Sequence, residues 1–234
     1  MSNELPSYVR YKEVTSLDGT ESIYLDDANS DVPKRISYDN FIVDIGNDIT
    51  IGSGDIVFVT AKSDLPTPVS NVITLENNIT YYFTTTIDLL GDRLVGGQNT
   101  VILGASSENS RIKSTGLGVG VALFTTEWTT PIRHITFQDV DTALDIDGSV
   151  NPPLALDWTG VNFLNVPNIG KIDTADNWIY SKGAFLNSQN LQFDGSHGTI
   201  GIDNSIFVGS GSAGNILDVL STATITRRFR LIYS

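Results

Sequence analysis

An internal repeat in the second half of the chain constrains the fold more than any other feature. Three times, a phenylalanine is followed nine residues later by an Ile-Asp pair: Phe137 with Ile146-Asp147, Phe163 with Ile172-Asp173, and Phe193 with Ile202-Asp203. An aliphatic residue stands two positions before each phenylalanine, namely Ile135, Val161 and Leu191. A weaker copy lies upstream (Val101 and Leu103, then Ile112), and a shorter echo lies downstream (Ile206 and Val208, then Leu217 and Asp218).

Strand geometry explains such a repeat. Alternate residues of a strand point to one face, so Ile135 and Phe137 are expected to face a core together, and Ile146 to face it from the next strand. One such coil cannot bury its apolar face alone, whereas stacked coils form a continuous core. The period is near 30 residues, which fits a rung of three strands. A propeller blade would be expected to have a longer period, of roughly 40–45 residues. The sequence therefore predicts an all-β chain with a parallel β-helix of roughly five coils.

Composition excludes several function classes. The chain of 234 residues has no cysteine and a formal charge of −13, so a disulfide framework, a zinc finger, thiolate catalysis and nucleic-acid binding are not expected. No apolar run approaches the ~18 residues of a membrane span, and the first residues lack the features of a secretory signal. We expect no cofactor, no nucleic-acid partner and no membrane insertion.

The domain boundary is predicted near a linker-like stretch, residues 61–68. It contains Pro66 and Pro68, which a central strand does not tolerate. The prediction is a strand-rich N-terminal module over residues 1–65 and a β-helix over residues 66–234. Near the C-terminus, Arg227, Arg228 and Arg230 fit either an acidic partner or a solvated strand face, and the sequence leaves both open.

Nucleophilic and phosphate-binding chemistry finds little support. Of the two histidines, His134 is predicted to face outward from a strand, and His197 is predicted in a turn, both with structural or surface roles. The sequence holds no Gly-x-Ser-x-Gly motif, and the glycine-rich segment 116–120 is followed by Val121 where a Gly-x-Gly-x-x-Gly motif needs its last glycine, and it lacks the lysine of a phosphate loop.

Carboxylates are the plentiful candidates for chemistry, because glycoside hydrolysis needs two of them. The candidates are Glu127, Asp139, Asp141, Asp145, Asp147, Asp173, Asp194 and Asp203. Stacked coils would align Asp147, Asp173 and Asp203 in an acidic ladder. We interpret these residues as turn formers, with a calcium ladder or an acid of raised pKa as the alternatives. The Asp145-Ile146-Asp147-Gly148 run lacks the remaining ligands of a calcium loop.

The three tryptophans, Trp128, Trp158 and Trp178, have two interpretations. Exposed aromatic faces would form a surface on which sugars stack. The interpretation we favour is packing at a trimer interface or beneath loops.

Two segments resemble proteins of tailed bacteriophages. The strands and turns from Ser63-Asp64-Leu65-Pro66 through Val72-Ile73-Thr74-Leu75, Asn78-Ile79-Thr80-Tyr81 and Ile87-Asp88-Leu89 to Val101-Ile102-Leu103-Gly104 resemble the start of their β-helices. Thr15-Ser16-Leu17-Asp18-Gly19-Thr20-Glu21 with Ile23-Tyr24-Leu25-Asp26-Asp27 is similar to the small attachment modules of tail fibres and tailspikes.

The resemblance implies a right-handed, pectate-lyase-like parallel β-helix in a homotrimer. It implies a structural virion protein, in a tail fibre, a tailspike or a head-attached fibre, that binds other virion proteins through residues 1–65, is assembled in the host cytoplasm and contributes to host attachment. We assign no catalytic, cofactor-binding or metal-binding residue. Two alternatives remain open: a tailspike depolymerase that uses a carboxylate pair, and a non-catalytic glycan-binding fibre.

Overall fold

The structure is a computed structural model that describes residues 22–25, 34–37, 56–208 and 215–232. The chain divides into two units, Met1–Ile51 and Gly52–Ser234. In the first unit, β1 (Ser22–Leu25) pairs antiparallel with β2 (Lys34–Ser37). The Thr15-to-Glu21 segment that resembles an attachment module lies outside the described residues.

The second unit is a parallel β-solenoid of about 7 turns, which confirms the predicted all-β parallel β-helix and corrects the expected number of coils from about five. It begins with β3 (Ile56–Val59), ahead of the boundary that the prolines suggested. The turns then follow in chain order: β4 (Val72–Thr74), β5 (Thr80–Phe83), β6 (Thr86–Asp88); β7 (Arg93–Val95), β8 (Val101–Gly104), β9 (Arg111–Lys113); β10 (Ala122–Thr126), β11 (Ile132–Arg133), β12 (Thr136–Gln138); β13 (Thr142–Asp147), β14 (Ala155–Thr159), β15 (Asn162–Leu164); β16 (Asn168–Ser181), β17 (Ala184–Leu186); β18 (Leu191–Asp203), β19 (Ile206–Val208); β20 (Leu217–Val219), β21 (Thr224–Ile232).

Three parallel sheets result from this stacking. The first sheet contains β4, β7, β10, β13 and β20 with the first halves of β16 and β18. The second contains β3, β5, β8, β11, β14 and β21 with the second halves of the same two long strands. The third contains β6, β9, β12, β15, β17 and β19. Each strand therefore presents one set of alternate side chains to a shared core and the other set outward.

Aromatic rings form a column inside the solenoid, behind the third sheet. The ring of Phe163 lies 5.7 Å from Phe137 and 5.6 Å from Phe185, and Phe185 lies 4.8 Å from Phe207. Phe137, Phe163 and Phe185 are at most 1% exposed. Stacked rings at these distances add to the free energy gained by burying their area.

The register confirms two copies of the sequence repeat and shows that the third was wrong. Phe137 lies opposite Phe163, and Ile146-Asp147 lies opposite Ile172-Asp173. Phe163 then lies opposite Phe185, whereas Phe193 lies in the first sheet opposite Ile172. The physical reason is a shorter turn: contacting residues on adjacent turns are 26 apart at Asn165 and Asp139 but 22 apart at Asn187 and Asn165.

Asparagine and aspartate form the corner between the third and first sheets. Asp139, Asn165 and Asn187 have φ angles of 53°, 56° and 49°, a left-handed conformation that Asn and Asp adopt more readily than other side-chain-bearing residues. Asn187 Nδ2 donates to Asn165 Oδ1 at 3.2 Å, and Asn165 Nδ2 donates to Asp139 Oδ1 at 2.9 Å. This ladder fixes the vertical alignment of successive turns.

A partly buried ion pair connects the loop after β3 to the corner before β7. Lys62 Nζ lies 2.7 Å from Asp92 Oδ2, and the Asp92 side chain is 7% exposed. We expect Lys62→Met to lower the free energy of unfolding by roughly 1–3 kcal/mol, because it leaves a buried carboxylate without its cation. Lys113→Met is the control, since the Lys113–Asp88 pair is longer, at 3.4 Å, and more exposed. Equal losses in urea titrations of the two variants would contradict the prediction.

Candidate functional site

The outer face of the first sheet carries a row of polar side chains that lie close together. Thr125, Asp145, Lys171 and Gln192 stand opposite one another on β10, β13, β16 and β18, and they point away from the core. Because adjacent strands lie about 4.8 Å apart, this row presents a polar group at each successive turn. Such spacing suits an elongated ligand.

Two adjoining clefts lie on this face. The first has a volume of about 390 Å³ and is lined by Arg93, Thr125, Glu127, Trp128, Asp145 and Asp147 among others. The second has a volume of about 290 Å³ and adds Asn168, Lys171 and Gln192. Arg93, Thr125 and Asp145 line both, so we treat the two clefts as one surface, the outer groove.

Local hydrogen bonds hold Trp128 at the groove. Thr126 Oγ1 accepts a hydrogen bond from the Trp128 amide at 3.0 Å, and the hydroxyls of Thr126 and Thr130 each lie 3.1 Å from the Trp128 carbonyl oxygen. Gly96, on the neighbouring turn, lies against this loop: a Cβ there would come within 2.7 Å of Thr126 Oγ1. The indole is half-buried, which leaves part of its face accessible from the groove.

The charged side chains of the first cleft differ in whether they have hydrogen-bonding partners within the described residues. Within the described residues, no hydrogen bond or ion pair engages the side chains of Arg93, Glu127 or Asp145. Asp147, by contrast, accepts from the amide and the hydroxyl of Ser149 at 3.0 and 2.6 Å. The first three therefore keep their hydrogen-bonding capacity for a ligand, while Asp147 shapes the turn that follows β13.

An acidic ladder does exist beside the groove, but its third member was predicted wrongly. Asp147 lies opposite Asp173 and Asp173 opposite Asp194, whereas Asp203 lies opposite Ser181 in the second sheet. Asp203 was assigned to the ladder through the third repeat, which the register of the phenylalanines shows to be wrong.

The ladder carboxylates bind their own surroundings. Lys171 Nζ lies 3.1 Å from Asp173 Oδ2, and this hydrogen bond, with the charges of Asp173, Asp145 and Asp194, raises the lysine pKa against the opposing effect of burial. Thr222 and the Gly195 amide donate to Asp194 and lower its pKa. Among the described residues, no group of three or more His, Asp or Glu side chains could hold a metal ion. The turn-former interpretation fits Asp147, which accepts from Ser149 after β13, whereas Asp173 and Asp194 lie within the strands β16 and β18.

The remaining candidate carboxylates lie outside the groove lining. Asp139 belongs to the corner ladder with Asn165, and Asp141 accepts from the Gly120 amide at 2.8 Å and from the Thr142 hydroxyl at 3.1 Å. The groove therefore brings together Glu127, Asp145 and Asp147.

The tryptophans separate into two groups. Trp158 and Trp178 are fully buried inside the solenoid with their rings 6.2 Å apart, so neither offers a face to a sugar or to a trimer interface. The Trp158 indole donates to the carbonyl oxygen of Thr130 at 3.1 Å, in the loop before β11. Trp128 alone of the three lies at the groove.

Comparison with protein-family models, with curated proteins and with solved structures finds no match to this chain. The candidate site therefore rests on its own geometry. In the part of the chain that the structure describes, no helix is long and apolar enough to span a membrane.

The histidines also differ. His134 is exposed, as predicted, but it lies at the corner between β11 and β12 with a φ angle of 56° and not in a strand. His197 was predicted in a turn but is a fully buried residue of β18, where its Nε2 lies 2.6 Å from the Asp194 carbonyl oxygen and its Nδ1 accepts from the Ala175 amide at 3.3 Å. At the C-terminal end, Arg227 pairs with Asp176 at 3.3 Å.

Sequence reasoning missed four groove residues, Arg93, Thr125, Lys171 and Gln192. Each occupies an outward position next to a buried residue, as Arg93 does before Leu94 and Gln192 does between Leu191 and Phe193, so alternation identifies it only as a surface residue. Their convergence on one groove depends on the turn-to-turn register, which the false third repeat obscured.

Proposed function

We propose that this chain is a structural virion protein of a tailed bacteriophage. In this proposal it is a homotrimer that docks to the particle through residues 1–65, projects its β-solenoid as a stem and contributes to host attachment. Support comes from the resemblances in residues 15–27 and 63–104 together with the stacked parallel turns. A solenoid whose turns contact only their neighbours forms an elongated element, which suits a projecting stem.

Electron microscopy of particles labelled with antibodies against this chain tests the proposal. We expect labels on the assembled virion, at the tail or at the head, in particles purified away from free protein. Particles that contain no copy of the chain by mass spectrometry would contradict a virion role.

The outer groove favours a second candidate function, binding of a host surface glycan. Trp128 offers an aromatic face to a sugar ring, while Arg93, Glu127 and Asp145 offer unengaged donors and acceptors to hydroxyl groups. Two carboxylates free of ion pairs disfavour a polyanionic glycan, since like charges repel. The proposed ligand is therefore a neutral or amino-sugar polysaccharide that lies across the turns.

For this candidate we expect Trp128→Ala to weaken binding of host surface polysaccharide by roughly twofold to tenfold, because stacking on an aromatic ring contributes of the order of 0.5–1.5 kcal/mol. Calorimetric titration measures the loss. Phe58→Ala is the matched control, since Phe58 is an exposed aromatic residue that does not line the groove. Unchanged affinity of the Trp128 variant would remove the groove from consideration.

A depolymerase would use the same groove, with two of Glu127, Asp145 and Asp147 as the carboxylate pair. Incubation with host polysaccharide and measurement of new reducing ends distinguishes this alternative from binding. Turnover that Glu127→Gln or Asp145→Asn abolishes would replace the non-enzymatic proposal, and binding without turnover would support it.

A further inference from the structure

The outer face of the third sheet changes character along the solenoid. Its last three strands, β15, β17 and β19, contain no charged residue. Leu164, Leu186 and Val208 stand opposite one another in one outward row, and Asn162, Ala184 and Ile206 do so in the other. We call the five apolar members of these rows, Leu164, Ala184, Leu186, Ile206 and Val208, the C-terminal patch.

The patch is accessible and rests on a regular base. Ile206 is 59% exposed and Val208 is 53% exposed, while Leu164 and Leu186 are half-buried. Beneath it, the rings of Phe185 and Phe207 stack 4.8 Å apart with an interplanar angle of 4°. Contiguous apolar surface of this kind on a regular sheet is typical of a protein-binding site.

Charge distinguishes this surface from the other two faces of the same turns. The first sheet carries Lys171, Asp173 and Asp194 there, and the second sheet carries Asp203 and Arg228. The N-terminal half of the third sheet is also charged, although Asp88 and Lys113 pair with each other at 3.4 Å. In a chain of net charge −13, two copies that met at this patch would bring no carboxylates of β15, β17 or β19 together.

The sequence that follows the patch carries no large apolar side chain. Residues 209–214, which follow β19, read Gly-Ser-Gly-Ser-Ala-Gly and include no side chain larger than alanine or serine. An occupant must therefore bring its own apolar surface without adding negative charge at the contact. The same patch on another copy of this chain meets both requirements.

We infer that copies of this chain associate through the C-terminal patch, with these side chains directed at one another across the axis of the assembly. The inference rests on the homotrimer of the proposed function and specifies which surface forms it. Burial of Ile206 and Val208 supplies the main gain in free energy, since these two side chains carry the most exposed apolar area of the patch.

Light scattering coupled to size-exclusion chromatography of the full chain at micromolar concentration tests this inference. We expect three chain masses of 25.3 kDa for the unaltered protein and one chain mass for Val208→Lys. A lysine makes the chain less negative, so loss of assembly cannot come from greater overall repulsion. Val119→Lys is the matched control, because Val119 is 87% exposed on a loop away from the patch, and it should stay trimeric.

The outcomes distinguish a failure of the patch from a failure of the proposed homotrimer. A Val208→Lys variant that stays trimeric overturns the patch and leaves the trimer standing, whereas a monomeric unaltered chain overturns both. A dimer that Val208→Lys dissociates supports the patch and contradicts the trimer. If the lysine variant loses the native circular dichroism spectrum, Ile206→Thr, which adds no charge and suits a strand, is expected to raise the dissociation constant roughly tenfold. An unchanged dissociation constant for that variant counts against the patch.

Discussion

Phe163→Ala is expected to lower the free energy of unfolding by about 3–5 kcal/mol, the range for removal of a buried phenylalanine. Phe163 is fully buried, and its ring lies within 6.4 Å of three others, those of Phe137, Tyr180 and Phe185. Because the turns above and below both contact this ring, the cavity has little room to collapse. Urea unfolding monitored by circular dichroism measures the loss, and Phe58→Ala, at an exposed position, should cost less than about 1 kcal/mol.

A double-mutant cycle checks the register on which this expectation depends. Phe163 and Phe185 stack at 5.6 Å and should couple by about 0.5–1.5 kcal/mol. Phe193, the partner that the sequence repeat suggested, lies in the first sheet beside Trp178 at 5.1 Å, so its coupling to Phe163 should be smaller. Stronger coupling of Phe163 to Phe193 than to Phe185 would mean that the turns are stacked differently.

The sequence was sufficient for the fold because alternation and turn residues act locally. Phe137 and Phe163 share a face with their aliphatic neighbours by strand geometry alone, and Asn165 and Asn187 mark corners because their side chains tolerate left-handed backbone. The same alternation explains the buried tryptophans, since Trp158 lies two residues after Leu156, and Trp178 lies two residues before Tyr180, and all four are core residues.

The register was beyond this reasoning because turn length changes without a local marker. In β16 and β18 the strand continues through the corner between the first and second sheets, so no proline or long loop marks it. The turn shortens, so the nine-residue spacing that begins at Phe193 does not join the same two positions of a turn as it does in the two earlier copies. The groove depends on this register as well, since Thr125, Asp145 and Lys171 are neighbours only across three turns.

Replacement of His197 is the second change with a large expected effect. The imidazole is fully buried and both nitrogens are engaged: Nδ1 accepts from the Ala175 amide, which assigns the proton to Nε2 and its contact with the Asp194 carbonyl. His197→Leu leaves the buried Ala175 amide without this partner, at about 1–3 kcal/mol, and also removes the partner of the part-buried Asp194 carbonyl oxygen. We expect a corresponding loss in the free energy of unfolding at neutral pH. His134→Asn, at an exposed left-handed position, should change it little.

The buried side chain of His197 should also make the free energy of unfolding depend on pH. Burial lowers the His197 pKa below its ordinary 6.5, and the Asp194 carbonyl and the charges of Asp173 and Asp194 oppose this only in part. Between the lowered pKa and 6.5 the unfolded chain binds more protons than the folded one, so stability falls as the pH drops through this window and is constant above it. Urea titrations from about pH 7.5 to about pH 5.5, above the range where most carboxylates titrate, measure the slope. Protonation of His197 at Nδ1 would direct a second N–H at the Ala175 amide, so the folded chain resists it. The slope should therefore persist in His134→Asn and disappear in His197→Leu. An equal slope in the leucine variant would assign the pH dependence to another group.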